Sequence, residues 1–344
     1  MKKYTSLILT GISLLVILLS ISTPEASALA SSAATGQALE IAPPLITLTA
    51  NPGQTIKTTI QLRDITSGSL AVTNEIDDFL AAGEDGTPKI ITGNDSNNPF
   101  QLKKWITPLP AFILKPNQIE NLPISINIPR NASPGGHYGV IRFSGIPPQL
   151  KGQGVSLSAS IGSLVLLTVN GHIVHKLSVN EFTTANLKNQ VGKVFQSAPL
   201  NFIVKLKDSG NIQEEPEGQI LITDMFGKPV ASSDINVPPR NVLPDSIREF
   251  TGVLNRTNLG SRRLFGLYHA KLQTRYGEGY GQIVTAETTF WVIPYELIAV
   301  IIILLLIAFF AIRYALQRYK RKLLGQTKST HKATKQQPTK KRRM

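Results

Sequence analysis

An uncharged apolar run at residues 297–312 limits the fold and location of this chain more than any other feature. Pro294 and Tyr295 lead into the run, and the apolar residues 314–316 extend it past Arg313. About 20 residues of this kind cross a bilayer core of roughly 30 Å as a helix, at 1.5 Å per residue. The sequence therefore predicts one transmembrane helix at residues 294–316, with the segments on either side of it in different compartments.

Positive charge is concentrated at the two ends of the chain. The formal net charge is +14, and residues 313–344 contain twelve Lys or Arg and no Asp or Glu. Lys2 and Lys3 account for the remainder, so residues 4–312 sum to zero. Because basic flanks stay on the cytoplasmic side of a membrane, we predict a single-pass cell-membrane protein. Its N-terminal part is expected outside, and its tail, 317–344, in the cytoplasm.

Four residues flank the predicted span at the depth of the lipid headgroups: Trp291, Tyr295, Arg313 and Tyr314. Trp and Tyr concentrate there because their rings are apolar while their polar groups reach water. The basic tail is expected to contact anionic lipid, at about 1 kcal/mol for each basic residue near the surface. Nucleic acid suits the tail less well, because no run of interleaved aromatic residues offers a stacking surface for bases.

The N-terminal segment has the layout of a secretory signal peptide. Basic Lys2 and Lys3 precede an apolar stretch at 7–21, and small residues around Ala28 and Ala30 form cleavage sites of the A-x-A type. We predict a signal peptide at 1–28 and a short linker at 29–37. An uncleaved anchor, which would give two spans, is the alternative. The chain contains no Cys, which excludes a lipid anchor on Cys, disulfides and thiolate metal sites.

Apolar residues alternate along the chain between these two hydrophobic segments, as they do in half-buried β-strands. Four runs show the pattern most clearly: 55–62, 122–128, 200–206 and 268–276. Turn signals rich in Gly, Pro, Asn and Asp separate the runs, and no long segment has a helical period. Many short strands of this kind predict an all-β fold of antiparallel sandwiches.

We expect two immunoglobulin-like β-sandwich domains, at 38–170 and 171–293, because about 100 residues is the usual size of such a domain. A single large sandwich is the alternative. The last strand, 286–293, leads almost directly into the predicted span, so the second domain is expected close to the membrane. Without disulfides, both domains must be stable through their hydrophobic cores alone.

Turn motifs occur in a definite order along both predicted domains. The first domain contains Asn51-Pro52-Gly53-Gln54-Thr55, Lys115-Pro116-Asn117-Gln118 and Ala132-Ser133-Pro134-Gly135-Gly136-His137-Tyr138. The second contains Asp208-Ser209-Gly210-Asn211, Met225-Phe226-Gly227-Lys228 and Val242-Leu243-Pro244-Asp245-Ser246-Ile247-Arg248. In this order, the motifs resemble those of exported bacterial proteins built on the DUF916 pattern, the WxL-interacting proteins of cell walls. Asn117 stands where that pattern usually has Gly, and Asn tolerates the same positive φ.

The resemblance implies a non-catalytic surface protein. In that family the first module is associated with peptidoglycan and the second with host or partner surfaces. The function expected here is therefore to hold cell-wall polymer, an exported partner protein, or both, through the immunoglobulin-like domains. The alternative is a structural or assembly scaffold, chaperone-like, that docks exported surface proteins by adding strands at the edges of its sheets.

Two groups of residues are candidates for ligand contact. The first consists of aromatic residues, Trp105, Tyr276 and Tyr280, whose rings could stack on sugars. The second is the turn Pro134, Gly135, Gly136, His137 and Tyr138, since loops at the ends of sandwiches commonly bind ligands. A structural role is the competing interpretation for every one of these residues.

Catalytic and metal-binding motifs are absent from the sequence. It has no G-x-S-x-G and no H-E-x-x-H motif. His172 and His175 are three residues apart, which places them on opposite faces of a strand and prevents a shared metal. We therefore predict no enzyme activity, no cofactor and no metal.

Overall fold

The computed structural model describes residues 39–93, 98–146, 159–260 and 263–333. Within these ranges the chain forms two β-sandwiches followed by one long helix, which confirms the fold class predicted from the alternating pattern. The predicted signal peptide at 1–28 and linker at 29–37 lie outside the described residues, as does the end of the basic tail.

The first sandwich consists of a three-stranded and a six-stranded sheet. The smaller sheet has the order β1 (Leu39–Ala42), β3 (Thr55–Asp64), β7 (Ile119–Asn127). The larger sheet has the order β2 (Leu45–Ala50), β9 (Ala159–Val169), β8 (Gly135–Ile146), β4 (Leu70–Ala82), β5 (Thr87–Ile91), and β6 (Phe112–Leu114) also pairs with β4. The paired strands are antiparallel, except for β2 and β9, which are parallel.

The first core lies between the inner faces of these two sheets. Ile60 and Leu62 of β3 and Ile124 and Ile126 of β7 are buried there, at the alternate positions that the sequence pattern predicts. Phe143 of β8 packs against them from the larger sheet.

The chain crosses between the two sheets at Pro43-Pro44. β1 pairs with β3 in the small sheet, and β2 pairs with β9 in the large one. The ladder of β2 begins where Leu45 lies opposite Leu164, so β2 covers only the C-terminal half of β9. The N-terminal half of β9 therefore has a strand ladder on one side only, with β8.

The second sandwich is built in the same way. Its small sheet has the order β10 (Leu177–Ala185), β12 (Leu200–Asp208), β15 (Ile247–Leu254). Its large sheet has the order β11 (Val194–Phe195), β17 (Gln282–Val292), β16 (Gly266–Tyr276), β13 (Glu217–Asp224), β14 (Pro229–Ile235). The core between them contains Phe202, Phe250 and Phe290. Short helical turns occur at Lys103–Trp105, Arg256–Leu259 and Glu278–Tyr280.

The C-terminal helix, Tyr295–Ala333, begins three residues after the end of β17. Its segment Tyr295–Lys320 is 26 residues long, has a mean hydropathy of 2.9 and is not buried against the sandwiches. This helix is long and apolar enough to cross a membrane, as the sequence predicts.

Candidate functional site

The junction between the two sandwiches combines apolar packing with hydrogen bonds between the domains. A second apolar cluster lies on the outer face of the six-stranded sheet and contains Phe79, Tyr138, Val140 and Leu166. Leu243 of the second domain packs against it. The large sheet of the first domain is therefore covered on both faces.

The turn that precedes β8 makes one part of the junction. The Gly136 N–H donates a hydrogen bond to the Asn211 carbonyl at 2.7 Å, and the Asn211 side chain donates to the Pro134 carbonyl at 3.2 Å. The buried Tyr138 hydroxyl donates to Gln213 Oε1 at 3.0 Å. Gly135 has φ +118°, and a Cβ on it would lie 2.3 Å from the Asn211 carbonyl oxygen. Only a glycine fits this approach of the two backbones.

His137 and Trp105 are packed beside this turn. Both ring nitrogens of the buried His137 lie within hydrogen-bonding distance of backbone carbonyls, those of Gln101 at 3.0 Å and Ser133 at 2.9 Å. The half-buried Trp105 ring lies 4.3 Å from the His137 ring and packs against the first core. The side chains predicted as a ligand-binding loop thus have structural partners within the protein.

Tyr276 and Tyr280 differ in exposure. Tyr276 is 7% exposed and belongs to the second core, whereas Tyr280 is 45% exposed on a turn with φ 56°. The Gly277 N–H of this turn donates to Glu214 Oε2 at 2.9 Å, which ties the turn to the junction. The structure thus brings both groups of candidate residues to one end of the second domain, but of the two tyrosines only Tyr280 presents a ring surface to solvent.

Acidic groups gather on the second domain's side of the junction. His175 Nδ1 lies 2.7 Å from Glu214 Oε1. The Gly210 N–H donates to Asp208 Oδ1 at 2.7 Å, while Asp208 Oδ2 is buried without a partner among the described residues. Burial raises the pKa of Asp208 to about 7, and the nearby Glu214 and Asp245 carboxylates add to the increase. No group of metal-ligating side chains is found among the described residues.

The hairpin between β4 and β5 makes a second contact with the other domain. The Glu249 N–H donates to the Glu84 carbonyl at 2.7 Å, and Lys205 Nζ lies 2.8 Å from Glu84 Oε2. Gly86 lies directly against the Arg248 guanidinium. A Cβ added at this glycine would fall 2.2 Å from Arg248 Cζ, so no larger residue fits without a shift of the arginine.

A cleft of about 230 Å³ lies between the domains. Its walls are mostly apolar side chains of β2, β4 and β9 on one side, and Glu215 with residues of the segment 239–248 on the other. Arg240 and Arg248 line the cleft, and neither forms an ion pair with a carboxylate among the described residues. Arg248 Nε is buried without a hydrogen-bond partner among them, while its Nη1 donates to the Asn241 carbonyl. Burial, and then the charge of Arg240, lower the pKa of Arg248. This cleft has the chemistry to hold an acidic group.

The outer edge of β9 borders the cleft. The Leu164 N–H donates to the Pro44 carbonyl, so the backbone groups of Leu164 face β2. Alternate residues of a strand face the same side. The N–H and C=O groups of Ser160 and Gly162 therefore point away from β8, to the line that β2 occupies farther along. On that side, residues 159–163 have no ladder with any described strand. Ser160 is exposed and Gly162 half-buried.

Four other edge strands carry features that discourage pairing with a foreign strand. Ile106 and Thr107 cover the C-terminal half of β7. β5 contains Pro88, β14 begins at Pro229 beside a register irregularity, and β10 contains a bulge near Val179. The exposed part of β9 has neither charge nor proline, with the sequence Ser160-Ile161-Gly162.

Sequence reasoning did not find Ser160, Gly162, Arg240 or Arg248. The sequence did contain one signal for the environment of β9. The nearly continuous apolar run 161–169 is typical of a strand covered on both faces. The position of the two arginines opposite the first domain depends on the packing of the two domains, which no local pattern specifies.

No family model and no curated protein matches this chain. Solved structures do match. The YadV chaperone is 10% identical, with 74% of this chain and 100% of that chain covered and a TM-score of 0.36. The Escherichia coli chaperone DraB is 15% identical, with 74% and 96% covered and a TM-score of 0.35. A Porphyromonas gingivalis protein of unknown function is 12% identical, with 74% and 100% covered and a TM-score of 0.29. These values are too low to support a functional assignment.

Proposed function

We propose that this protein is a membrane-anchored binding and assembly module that holds an extended segment of an exported partner protein at its domain junction. The observation that carries the proposal is the outer edge of β9 at Ser160 and Gly162, which forms no ladder with a second strand among the described residues. The expectation of an exported partner docked by strand addition was the alternative interpretation of the sequence, and the site geometry favours it.

The chemistry of this edge is that of β-strand addition. An incoming strand on the line of β2 would accept hydrogen bonds from the N–H groups of Ser160 and Gly162 and donate to their carbonyls. Main-chain bonds of this kind bind many sequences, and side-chain pockets select among them. The apolar wall of the cleft, with Leu45, Leu164 and Leu166, supplies such a pocket.

The arginines add a second attachment point. Arg240 and Arg248 line the same cleft on the side of the second domain. A guanidinium binds a carboxylate through two parallel hydrogen bonds. An acidic side chain or a chain terminus of the bound segment would therefore neutralise charges that have no carboxylate partner among the described residues.

The proposal includes the orientation predicted from charge. With basic residues on the C-terminal side of the helix, both sandwiches lie outside the cell and the tail contacts anionic lipid on the inner side. Cell-wall polymer, the first expectation from the sequence, stays a prediction. Its structural support is limited to the exposed ring of Tyr280, because Trp105 and Tyr276 pack within the protein.

A backbone substitution tests the strand-addition step. Ser160→Pro removes an N–H that faces away from β8, and proline is tolerated where a strand edge faces outward. Ser160→Ala keeps that N–H and is the matched control. With a photo-crosslinking residue at the exposed Leu45 of the full-length protein in cells, we expect adducts with exported proteins. Their yield should fall at least about tenfold in Ser160→Pro and stay unchanged in Ser160→Ala.

Equal yields from the two variants would rule out the edge of β9 as the binding site. Purified wall sacculi provide a second arm of the same experiment. Sacculus binding by the full-length protein that persists in Ser160→Pro, without protein adducts at Leu45, would favour the cell-wall function over the proposed one.

A further inference from the structure

The C-terminal helix continues from the end of the second sandwich that lies opposite the junction. β17 ends at Val292, and the helix begins at Tyr295. Val292 lies opposite Gly266, the first residue of β16, and Asp224, the last residue of β13, lies opposite Tyr268. The turn 225–228 and the described residues of the following loop, 255–260 and 263–265, therefore lie at this end. The loop 186–193 joins them, since it leads into Val194, which is the partner of Trp291.

Large apolar side chains are exposed on these loops. Phe226 is 87% exposed and Phe265 67%. Their neighbours at this end are also exposed, namely Leu187, Val191, Val194, Met225 and Trp291. A contiguous group of exposed apolar residues marks an interaction surface more often than chance.

The turn holds Phe226 outward by a defined set of hydrogen bonds. Asp224 Oδ1 accepts from the Phe226 N–H at 3.0 Å and from the Lys228 N–H at 2.9 Å. Gly227 has φ +79°, and the Asp224 N–H donates to the Lys228 carbonyl at 3.0 Å. The ring is thus presented at the tip of an ordered turn.

The charges at this end match an anionic lipid surface. Four residues of these loops are basic: Lys188, Lys193, Lys228 and Arg263. The acidic side chains at this end, Asp224 and Glu296, accept hydrogen bonds from other groups of the protein. Aromatic tips surrounded by basic residues are typical of segments that lie in the headgroup region.

We propose that this end of the second sandwich is a lipid-binding surface, with Phe226 and Phe265 inserted into the headgroup region of the bilayer that the helix spans. The helix alone would leave the sandwich free to tilt about residues 293–294. Insertion of the loops fixes the sandwich on the membrane and thereby sets the direction in which the edge of β9 points. The inference depends on the helix crossing a bilayer and not on the proposed partner.

The absence of cysteine from the chain allows a direct measurement. In the full-length Phe226→Cys variant, a single environment-sensitive fluorophore is attached to the cysteine. The protein is reconstituted in phosphatidylglycerol nanodiscs that contain a lipid with a nitroxide on its headgroup, which quenches a fluorophore close to the membrane surface. Lys271→Cys, on the outer face of β16, and Tyr280→Cys, at the junction end, are matched controls. We expect at least about twofold quenching at position 226, less at 271 and none at 280. Replacing phosphatidylglycerol by phosphatidylcholine should weaken the quenching at 226.

Two results would overturn the proposal. One is equal quenching at positions 226 and 280 in phosphatidylglycerol nanodiscs. The other is an unquenched label at 226 together with concentration-dependent pairing of the protein in detergent that Phe226→Ser abolishes, because a second copy of the chain would then cover this surface. Phe226→Ser lies on an exposed tip and leaves both cores intact, so thermal unfolding of the variant separates loss of binding from loss of folding.

Discussion

The two large sheets have the same construction but differ in what covers their outer faces. β8, in the middle of the first large sheet, is buried at every residue from Gly135 to Ile141. β16, in the middle of the second, alternates strictly between buried and exposed positions. The outer face of β16 is exposed to solvent, whereas the outer face of β8 is covered by the second domain.

This difference shows that the two sandwiches are not equivalent, independent domains. The first domain contains an apolar cluster, with Phe79, Tyr138 and Leu166, that is complete only when Leu243 of the second domain covers it. The second domain contributes to the junction through loops and through its small sheet, with Lys205 and Glu249, and keeps its own large sheet independent. We therefore expect substitutions on the outer face of the first sheet to act on the whole ectodomain.

The largest effect should come from Tyr138. Tyr138→Ala removes a ring that is 0% exposed and should cost about 3–5 kcal/mol of unfolding free energy, as large-to-small substitutions of buried aromatic residues do. Gln273→Ala, at an exposed outer-face position of β16, should change it by less than about 0.5 kcal/mol. Urea unfolding of the two variants tests the difference. Similar losses from both variants would contradict the asymmetry of the two sheets.

The next effect concerns the approach of the two backbones at Gly135. Gly135→Ala combines a left-handed φ with a Cβ placed 2.3 Å from the Asn211 carbonyl oxygen, and should cost about 3 kcal/mol. Gly93→Ala has a similar positive φ but no atom within 4 Å of the added Cβ, and should cost about 1 kcal/mol. Limited proteolysis at the linker 170–176 should accelerate in the first variant alone. Comparable proteolysis rates would mean that the turn is not a domain contact.

Local patterns predicted the sandwiches well and the junction poorly. The alternation of apolar residues at 268–276 matches β16. One face of that strand is exposed to solvent, so its sequence keeps the two-residue period of a half-buried strand. The sequence made Trp105 and the 134–138 turn candidates for ligand contact, with a structural role as the competing interpretation, because aromatic rings stack on sugars and loops at sandwich ends commonly bind ligands. In the structure the glycines of this turn allow another backbone to come close. Which loop approaches them is decided by packing between residues about 75 positions apart, as with Tyr138 and Gln213.

A pH effect follows from the buried Asp208, whose partners differ from those of the buried Asp77. Burial raises the pKa of Asp77, but hydrogen bonds from Arg142 and Lys103 outweigh this and lower it overall. Asp208 lacks such partners, and its pKa rises to about 7. Between about pH 4 and pH 7 the folded protein therefore holds a proton on Asp208 that the unfolded chain has released. Stability should fall as the pH rises through this window, by up to about 1.4 kcal/mol per pH unit.

Asp208→Asn tests this effect, because it keeps Oδ1 as the acceptor for the Gly210 N–H and removes the charge. We expect the variant to lose this part of the pH dependence and to be more stable than the wild type at pH 8. Asp234→Asn, at an exposed position of the same domain, is the control and should leave the pH profile unchanged. An unaltered profile in Asp208→Asn would show that the carboxyl group is ionised in the folded protein.

The smallest effect should come from Lys205, the lysine that joins the domains by charge among the described residues. Lys205 Nζ lies 2.8 Å from Glu84 of the β4–β5 hairpin and 3.1 Å from Glu181 of its own domain. Lys205→Gln should cost only about 0.2–1 kcal/mol, because partly exposed ion pairs gain little over their hydrated state. Lys271→Gln, which breaks an exposed pair within the second domain, should cost a similar amount.

The salt dependence of these two losses completes the comparison. Both should shrink at high ionic strength, where exposed pairs are screened, while the loss from Tyr138→Ala should persist. Apolar burial on the outer face of the first sheet, and not charge, would then be what joins the sandwiches. A loss from Lys205→Gln as large as that from Tyr138→Ala would reverse this conclusion and make the β4–β5 hairpin the principal contact between the domains.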